Sequence, residues 1–352
     1  MRAEPELNGN KVTIADIARA SGVSPATVSL ALRNKGGIST ETRQRIVGVA
    51  QTLGYLVQIP SKADGRQAIH SIGVLLKART DDGAMTQSFY GPVVAGIEEV
   101  CRRRQIHLVF ANLLVDLENR PVEPPRLLTE QPTDGLLLVG MQINTASLSL
   151  FQQQSAPIVL VDAYVERDPY DAVVTDNFAG AYTATEYLIK KGHRAIAIVG
   201  SQPQTFPSVI ERRAGYCQAL ADHGLQPYFW DCLLWPQAAY ETIVTYLQRP
   251  PAPITAFFSC NDAVATALLQ ALHEQGYAVP HDFSVLGFDN IELTQYTTPP
   301  LSTMRVDQQG MGRLAAQLLI NRIEYPAAAN VRAWIRPSLI ERQSVATRIS
   351  EL

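Results

Sequence analysis

Between residue 71 and about residue 345, short apolar runs alternate with stretches whose apolar residues recur at helical spacing. The runs are too short to cross a membrane and have the length of buried strands. Such alternation predicts a parallel sheet covered by helices on both faces. Because the stretch is too long for one sheet of this kind, we expect two similar α/β lobes with a ligand cleft beyond the carboxyl ends of the strands.

The predicted elements of this part follow directly from the patterns. The strands are expected at 72–76, 108–111, 135–139, 158–161, 195–199, 256–259 and 284–287. The helices are expected at 90–104, 177–191, 212–223, 262–275 and 308–322.

The first part of the chain, from Lys11 to about Val57, predicts three short helices, at 14–20, from 25 to about 32, and from after 39 to 54. Thr13 and Ser24 are suited to cap the first two helices, and Pro25 occupies a first helical position. Gly22 fits the left-handed turn between them. Two short helices joined by a turn with a glycine, and a third helix behind, form the helix-turn-helix pattern of DNA-binding domains.

Charge is distributed unevenly along the chain. Residues 11–66 hold eight Lys or Arg against three acidic residues, a net charge of +5, although the whole chain of 352 residues carries −3. A basic segment on an acidic body indicates a nucleic-acid contact at the amino-terminal end. The polar residues of 58–70 predict a linker or hinge between the two parts.

The sequence lacks the signatures of several function classes. The four cysteines show neither C-x-x-C spacing nor a nearby His, so we expect reduced thiols and no metal site. The polar amino terminus is not a secretory signal, and we expect a cytoplasmic protein without a membrane contact. Phosphate-binding loops, a nucleophile elbow and dinucleotide loops are missing, so no catalytic residue, no cofactor and no enzyme activity are expected.

An ordered set of segments resembles the LacI/GalR family of bacterial repressors. The resembling segments are 12–29, 42–55, Asp176-Asn177, Gly192-His193-Arg194, 212–216, Asn261-Asp262, 287–290 and 300–303. They follow the family's order and spacing over nearly the whole chain after residue 10. A single helix-turn-helix pattern is weak evidence, whereas this ordered set is specific.

The resemblance implies an α/β chain with a three-helix helix-turn-helix DNA-binding domain at 11–57 and a hinge at 58–70. A ligand-binding and dimerisation domain then follows at 71–345. This domain would be doubly wound and similar to type I periplasmic binding proteins. Lobe 1 would comprise about 71–174 and 306–333, and lobe 2 about 175–305 and 334–345. The expected partners are pseudo-palindromic double-stranded operator DNA, a small effector and a second copy of the chain, since paired heads read two half-sites one turn apart.

The second helix is the expected DNA-reading element. The resemblance and the residue chemistry together assign DNA contacts to Thr13, Ser24, Pro25, Ala26, Thr27, Ser29, Leu30, Arg33 and Tyr55. In the family the residues at positions 25, 26 and 30 select the operator. Here Pro, Ala and Leu carry no donor or acceptor, so base reading would rest on apolar contact, for example with thymine methyl groups. Ser24 and Pro25 also suit a purely structural role as the start of the helix.

The resemblance places the effector in the cleft. The candidate ligand residues are Phe89, Tyr90, Asp162, Ser208, Arg212, Trp235 and Asp289. Arg212, at the start of a helix, and Asp289, after a strand, would grip ligand hydroxyl groups, and Trp235 would stack on a sugar or a base. A sugar or sugar derivative is the expected effector.

Alternatives stay open for several of these residues. Arg212 and Asp289 are also compatible with a structural ion pair. Phe89 and Tyr90, expected just before the first helix of lobe 1, suit core packing as well as ligand contact. Asn261-Asp262 fits a helix start as well as a ligand site. For the whole chain, the alternative function is a solute receptor of the periplasmic type, whose two-lobed fold the body shares.

The hinge departs from the family pattern. In relatives the hinge is a short helix whose Leu wedges into the minor groove at the operator centre. Asp64 holds that position here, and Pro60 lies inside the expected helix. An inserted Asp would bury a charge beside phosphates, and Pro60 removes an amide hydrogen bond. We therefore expect the hinge to act as a tether, with less bending of the operator than in relatives.

Replacing Asp64 by Leu should strengthen operator binding, and more so on operators with a pyrimidine–purine step at the centre, because such steps kink easily. The measurement is operator affinity and bend angle for both proteins on operators that differ only at the central step. A wild-type protein that already kinks the centre sharply, together with no effect of Asp64→Leu, would contradict the tether.

Overall fold

A computed structural model describes residues 13–32, 38–53, 68–79, 84–116, 120–130, 132–152, 154–165, 170–248 and 253–348. The chain divides into two compact units between Ala68 and Ile69. Arg33, Tyr55 and the hinge residues Pro60 and Asp64 lie outside the described residues.

The amino-terminal unit contains the helices α1 (Ile14–Ser21), α2 (Pro25–Leu32) and α3 (Thr40–Thr52). Thr13 begins α1 with a capping box, since its hydroxyl accepts the Asp16 N–H and the Asp16 carboxylate accepts the Thr13 N–H at 2.9 Å. Gly22, with φ of 69°, ends α1 in the left-handed conformation that the turn requires. The expected helix-turn-helix is thereby confirmed.

Apolar side chains from all three helices form the core of this small unit. Ile17, Val28 and Ile46 are fully buried and belong to one cluster. Serine caps fix where the two later helices start. The Ser24 hydroxyl accepts the Thr27 N–H at 3.1 Å, and the Ser39 hydroxyl accepts the Thr42 N–H at 3.2 Å.

The second unit contains two six-stranded sheets. The sheet of lobe 1 is parallel throughout and comprises β1 (Ser71–Arg79), β2 (His107–Val115), β3 (Gly135–Val139), β5 (Ile158–Val161), β7 (Asp171–Thr175) and β13 (Arg332–Ile335). Their order is β13-β7-β5-β3-β1-β2. The short strands β4 (Gln142–Ile143) and β6 (Tyr164–Val165) pair separately.

The sheet of lobe 2 comprises β8 (Ile196–Val199), β9 (Tyr228–Trp230), β10 (Ala256–Ser259), β11 (Ser284–Asp289), β12 (Ser302–Arg305) and β14 (Ser338–Ile340). Their order is β14-β12-β11-β10-β8-β9, and β14 runs antiparallel to β12. The central strands β8, β10 and β11 are buried along their whole length, which explains their largely apolar sequence.

Helices cover both sheets. They are α4 (Ala84–Arg104), α5 (Arg126–Thr129), α6 (Thr145–Gln152), α7 (Asn177–Lys190), α8 (Pro207–Asp222), α9 (Pro236–Gln248), α10 (Asp262–Glu274) and α11 (Gln308–Glu324), with a 3₁₀ helix at Glu292–Gln295. In lobe 1, α4 packs against α11, and in lobe 2, α7 packs against α8 and α9 against α10. The α/β class with two parallel-sheet lobes is confirmed.

The chain passes between the two lobes three times. It leaves lobe 1 after β7, returns after β12 to form α11, and crosses again between Ile335 and Ser338. This third crossing was predicted between 333 and 334. Together the three crossings form the covalent connection between the lobes.

Two predicted helix starts were wrong. Phe89 and Tyr90 were expected just before the first helix of lobe 1, but α4 begins at Ala84 and includes both. Pro92 suggested a helix start nearby, because proline is common at the first position of a helix, yet it lies on the exposed face of the longer helix. Arg212 likewise lies in the second turn of α8, because Phe206 and Pro207 start that helix five residues earlier.

Within the described ranges, every helix is too short or too polar to span a lipid bilayer.

The helices α4 and α11 approach each other through glycines, and this contact predicts a stability effect. A Cβ at Gly96 would collide with the backbone carbonyl of Gln309, whereas a Cβ at Gly91 of the same helix would meet open space. Gly96→Ala should therefore lower the free energy of unfolding by about 1–3 kcal/mol. Gly91→Ala should raise it by up to about 1 kcal/mol, because alanine favours a helix over glycine where a Cβ has room. Urea unfolding of both variants tests the contact, and equal stabilities would refute it.

Candidate ligand cavity and nucleic-acid interface

A cavity of about 480 Å³ lies between the two lobes, at the carboxyl ends of their strands. Strands β1, β3 and β5 with helix α4 supply the wall from lobe 1, and α8, α9, β10 and β11 supply the wall from lobe 2. All seven candidate ligand residues line it: Phe89, Tyr90, Asp162, Ser208, Arg212, Trp235 and Asp289. The volume suits a small molecule such as a monosaccharide or a disaccharide.

Arg212 is held in place from several directions. Its guanidinium donates to Asp289 Oδ1 at 3.3 Å, to Asn177 Oδ1 at 2.8 Å and to the backbone carbonyl of Cys260. Its guanidinium carbon lies 3.9 Å from the centre of the Phe288 ring. With 7% of its surface exposed, Arg212 is a fixed cation whose remaining access faces the cavity. The ion pair that the sequence left open is present, and it borders the cavity.

Asp289 faces Arg212 from the end of β11. Burial raises the pKa of the Asp289 carboxyl to about 7; Arg212 opposes the rise and Asp162 adds to it. The backbone of Asp289 has φ of 111°, and Asp162 has φ of 47°, conformations that residues other than glycine seldom adopt. Both carboxylates thus leave their strands through strained turns that direct them to the cavity.

Tyr90 connects helix α4 to the strand ends of lobe 1. Its hydroxyl donates to Asp162 Oδ2 at 2.9 Å, and its ring packs on Gly140, where a Cβ would come within 2.6 Å of the ring. Removal from water raises the pKa of Tyr90 well above 10 and also raises the pKa of Asp162. The Tyr90 hydroxyl therefore stays protonated and donates its hydrogen bond to Asp162 Oδ2, which leaves the other Asp162 oxygen for other partners.

The aromatic residues differ in position. The Phe89 and Tyr90 rings meet edge to face at 5.0 Å, so Phe89 both packs and borders the cavity. Trp235 lies directly before α9, on the side of lobe 2, and Ser208 is the second residue of α8. An aromatic surface beside charged hydrogen-bonding groups suits a ring with apolar C–H faces and polar edges.

Asn177 links the two lobes behind Arg212. It is 1% exposed, and its amide donates to the Tyr164 hydroxyl in lobe 1 and to Glu211 in lobe 2, both at 3.1 Å. Because its oxygen accepts from Arg212, the orientation of Arg212 is coupled to the first crossing between the lobes. The sequence marked Asn177 only as part of a family segment, and side-chain contacts between lobes leave no local pattern.

Other residues of the cavity wall were not predicted from the sequence. They are Lys77, Gly140, Met141, Gln142, Tyr164, Phe206, Val209, Leu234, Pro236, Gln237, Ala263 and Ile291. Lys77 had a usable signal, since it follows the apolar run 72–76 that was predicted to end before it. Asn261, left open between two roles, caps α10 by accepting the Val264 N–H at 2.8 Å and also lines the cavity.

The second candidate site is on α2. Pro25 and Ala26 are exposed at its amino-terminal end, while Ser29 and Leu30 are half-buried on the next turn. The Thr27 hydroxyl lies 2.8 Å from the Ser24 hydroxyl, so both are engaged in the cap. Thr13 is likewise engaged in the cap of α1. The apolar Pro25 and Ala26 are thus exposed at this helix start together with Ser24, as base reading by apolar contact requires.

Among the described residues, no cluster of three or more His, Cys, Asp or Glu side chains has the arrangement of a metal site. The cysteines at 101, 217, 232 and 260 are free thiols, and burial raises the pKa of Cys101 to about 11 and of Cys232 and Cys260 to about 12. Such thiols remain protonated and unreactive at neutral pH.

Two family models match the chain. The model for bacterial regulatory proteins of the lacI family matches residues 13–58, and a periplasmic binding protein-like domain matches residues 185–345. The ribose operon repressor of Escherichia coli K12 is 31% identical over 336 residues, which cover 94% of this chain and 99% of that protein. The HTH-type transcriptional repressor PurR of Histophilus somni is 28% identical, and the match covers 95% of this chain and 99% of that protein.

A solved structure of a regulator is also similar to this chain. The crystal structure of a LacI family transcriptional regulator from Enterococcus faecium with bound ribose is 27% identical, with a TM-score of 0.66. The match covers 79% of this chain and all of that chain. The named relatives are transcriptional repressors rather than enzymes.

The raised pKa of Asp289 predicts a dependence of stability on pH. Between about pH 4 and pH 7 the folded chain holds the Asp289 proton and the unfolded chain releases it, so the free energy of unfolding falls as the pH rises. Asp289→Asn removes this titration. We expect the stability of the variant relative to wild type to increase between pH 5 and pH 8, by on the order of 2 kcal/mol.

Urea unfolding at several pH values measures this difference. Glu341→Gln is the control, because the hydrogen bond from Lys191 holds the pKa of Glu341 below its usual value, so this carboxyl is ionised over nearly all of the interval. A stability difference for Asp289→Asn that is constant over the same interval would show that burial does not perturb this carboxyl.

Proposed function

The chain belongs to the lacI family of bacterial regulatory proteins, and we propose that it is a dimeric transcriptional repressor whose affinity for operator DNA is controlled by a small effector in the cavity. One observation carries the proposal: a single chain joins a capped helix-turn-helix to two lobes that enclose a cavity with a fixed Arg–Asp pair. A regulator of this kind needs both parts, one for the operator and one for the signal.

The head would bind DNA through α2. Pro25 and Ala26 would face base edges, and Leu30 would extend the apolar contact, for which thymine methyl groups are the matching partner. Ser29 would add a hydroxyl, and Arg33 and Tyr55 would contact the backbone. One head of this size supplies few base contacts, so two heads of a homodimer would read a pseudo-palindrome.

The effector would be a sugar or sugar derivative. Arg212 and Asp289 would bind neighbouring hydroxyl groups with charge-assisted hydrogen bonds, Asp162 and Ser208 would bind others, and Trp235 and Phe89 would face the ring. The bound ribose in the Enterococcus faecium regulator supports this class. A purine base is the alternative to be tested.

Two other classes are less consistent with the chain. A solute receptor of the periplasmic type would share the lobes but would have no use for a helix-turn-helix. An enzyme is the third class, but the relatives that match nearly the whole chain are transcriptional repressors. We propose a protein without catalytic activity that works in the cytoplasm, where the DNA is.

Arg212→Ala tests the proposal at its centre. Removing the guanidinium leaves Asp289 without its partner, so effector binding should weaken by on the order of 2–4 kcal/mol. Operator affinity without effector should not depend on this side chain, because the head carries the DNA contacts. The operator is first obtained by selection from random duplexes, and binding is measured by calorimetry for sugars and by anisotropy for DNA.

Arg102→Ala is the matched control, since Arg102 is exposed and pairs with Glu98 on its own helix. Wild-type protein that selects no duplex would exclude the repressor. If a purine base is the only compound that stabilises the protein in a thermal-shift screen, the sugar assignment is wrong.

A further inference from the structure

Asp262 is a buried carboxylate that the proposed effector contacts do not use. It is fully buried and lies behind the cavity wall, although its chain neighbours Asn261 and Ala263 both line the cavity. As the first residue of α10 it is close to the positive end of that helix. An exposed carboxylate would serve that interaction equally well, whereas one removed from water is costly unless it makes specific hydrogen bonds.

We propose that Asp262 is a positioning residue, which holds the turn 289–291 in the conformation that directs Asp289 to the cavity. Asp262 thereby sets the affinity for the effector without touching the effector. The inference rests on the proposed function, because it concerns the same effector site. The pairing of Asp289 with Arg212 across the cavity wall depends on this support.

The turn 289–291 has a backbone conformation that needs outside support. Asp289 has φ of 111° and Asn290 has φ of 56°, so two successive residues other than glycine adopt positive φ values. Such strained backbone persists only where the surrounding structure holds it in place. Because Asp289 and Ile291 both line the cavity, a change in the turn would displace two residues of the cavity wall.

The Asp262 carboxylate supplies this support from the start of α10. Its Oδ2 accepts the backbone N–H of Ile291 at 2.9 Å, and its Oδ1 accepts the Thr303 hydroxyl at 2.7 Å. The Thr303 hydroxyl in turn accepts the backbone N–H of Asn290 at 3.4 Å. Asp262 and Thr303 together therefore bind the N–H groups of both residues that follow Asp289.

Close packing keeps the carboxylate at this place. A Cβ at Gly287 would collide with Asp262 Oδ1, so this oxygen lies directly against β11. Three of the family segments, Asn261-Asp262, 287–290 and 300–303, thus meet at one carboxylate although they are far apart in the chain. Their meeting point gives the acidic residue of Asn261-Asp262 a use besides starting a helix.

Two further side chains contact the turn without binding its N–H groups. Arg342 donates to Asn290 Oδ1 at 2.7 Å, and the Gln308 amide donates to the backbone carbonyl of Asp289 at 2.7 Å. These contacts would remain after the loss of Asp262. We therefore expect that loss to loosen the turn while lobe 2 stays folded.

Hydrogen–deuterium exchange of the ligand-free full chain tests the positioning. In Asp262→Ala, peptides that contain residues 290 and 291 should exchange about tenfold or more faster than in wild type, because their N–H groups lose this support. Peptides of α8, which carries Arg212, should exchange as in wild type. Asp262→Asn retains an oxygen for Ile291 and an amide for Thr303, so it should stay within about threefold of wild type.

Two results of this experiment would overturn the proposal. Unchanged exchange at 290 and 291 in Asp262→Ala would show that the turn does not need the carboxylate. Faster exchange spread evenly over lobe 2 would assign Asp262 to general stability.

Thr303→Val tests the same support without changing the charge of the cluster. Burial and the nearby Asp289 raise the pKa of Asp262 well above its usual value, so replacing Asp262 also alters the charge beside Asp289. Valine has nearly the shape of threonine but offers Asn290 no acceptor. Exchange at 290 should rise, and this variant decides the proposal where Asp262→Ala fails to fold.

Thr185→Val is the matched control. Thr185 is fully buried like Thr303, and its hydroxyl donates at 2.9 Å to a carbonyl of its own helix α7. Its loss should leave exchange at 290 and 291 unchanged.

Effector affinity tests whether the support acts through Asp289. The probes are ribose, glucose, galactose and cellobiose, of which the tightest-binding one is used in calorimetry. Thr303→Val should raise its dissociation constant about fivefold or more in the wild-type background and less than about twofold in Asp289→Ala, where no carboxylate is left to position. Equal factors in both backgrounds would contradict the proposal. Thr185→Val should change the constant less than about twofold in either background.

Failure of this inference is distinguishable from failure of the proposed function. A sugar that binds and loses binding in Arg212→Ala, while Thr303→Val has equal effects in both backgrounds, would refute the positioning and keep the ligand-controlled repressor. If none of the four sugars binds, that result counts against the proposed sugar effector. Exchange at 290 and 291 in the ligand-free chain then still decides whether Asp262 holds the turn.

Discussion

The buried pair of Arg212 and Asp289 is the interaction on which the cavity depends. A guanidinium removed from water is costly unless its donors are directed at acceptors, and here Asp289, Asn177 and the Cys260 carbonyl supply them. The stack on Phe288 fixes the plane of the group. The result is a rigid, charged surface at the carboxyl ends of the strands of lobe 2, to which lobe 1 contributes Asp162, Tyr90 and Lys77.

The same pair is connected to the junction between the lobes. Asn177, at the first crossing, contacts Arg212, Glu211 and the Tyr164 hydroxyl, so the ligand surface and the connection between the lobes share one set of hydrogen bonds. A ligand that touches both lobes favours one relative position of the lobes over others by its difference in affinity. In the proposed repressor, such a change in the relative position of the lobes would be the response to the effector.

Sequence alone predicted the strands that are buried on both faces, because a short uninterrupted apolar run is typical of such a strand; 135–139 and 158–161 match β3 and β5 residue for residue. It missed β7, because a strand that begins with the charged Asp171 does not show an uninterrupted apolar pattern. In the structure this carboxylate is paired with Arg322 of α11. It also missed β13, whose Trp334 is exposed at a sheet edge. Arg212 and Asp289 were found through the family order, and Lys77 had only its place after the apolar run 72–76 as a signal. Asn177 depends on contacts between lobes that no local pattern records.

The central claim is that one effector in the cavity controls one operator site, and reciprocal binding measures it most directly. The operator dissociation constant of the full chain is determined with and without saturating amounts of the tightest-binding sugar, and that of the sugar with and without operator. We expect both to change by the same factor, since coupling between two sites is mutual. An operator affinity that is identical in the presence and absence of the bound sugar would contradict the claim.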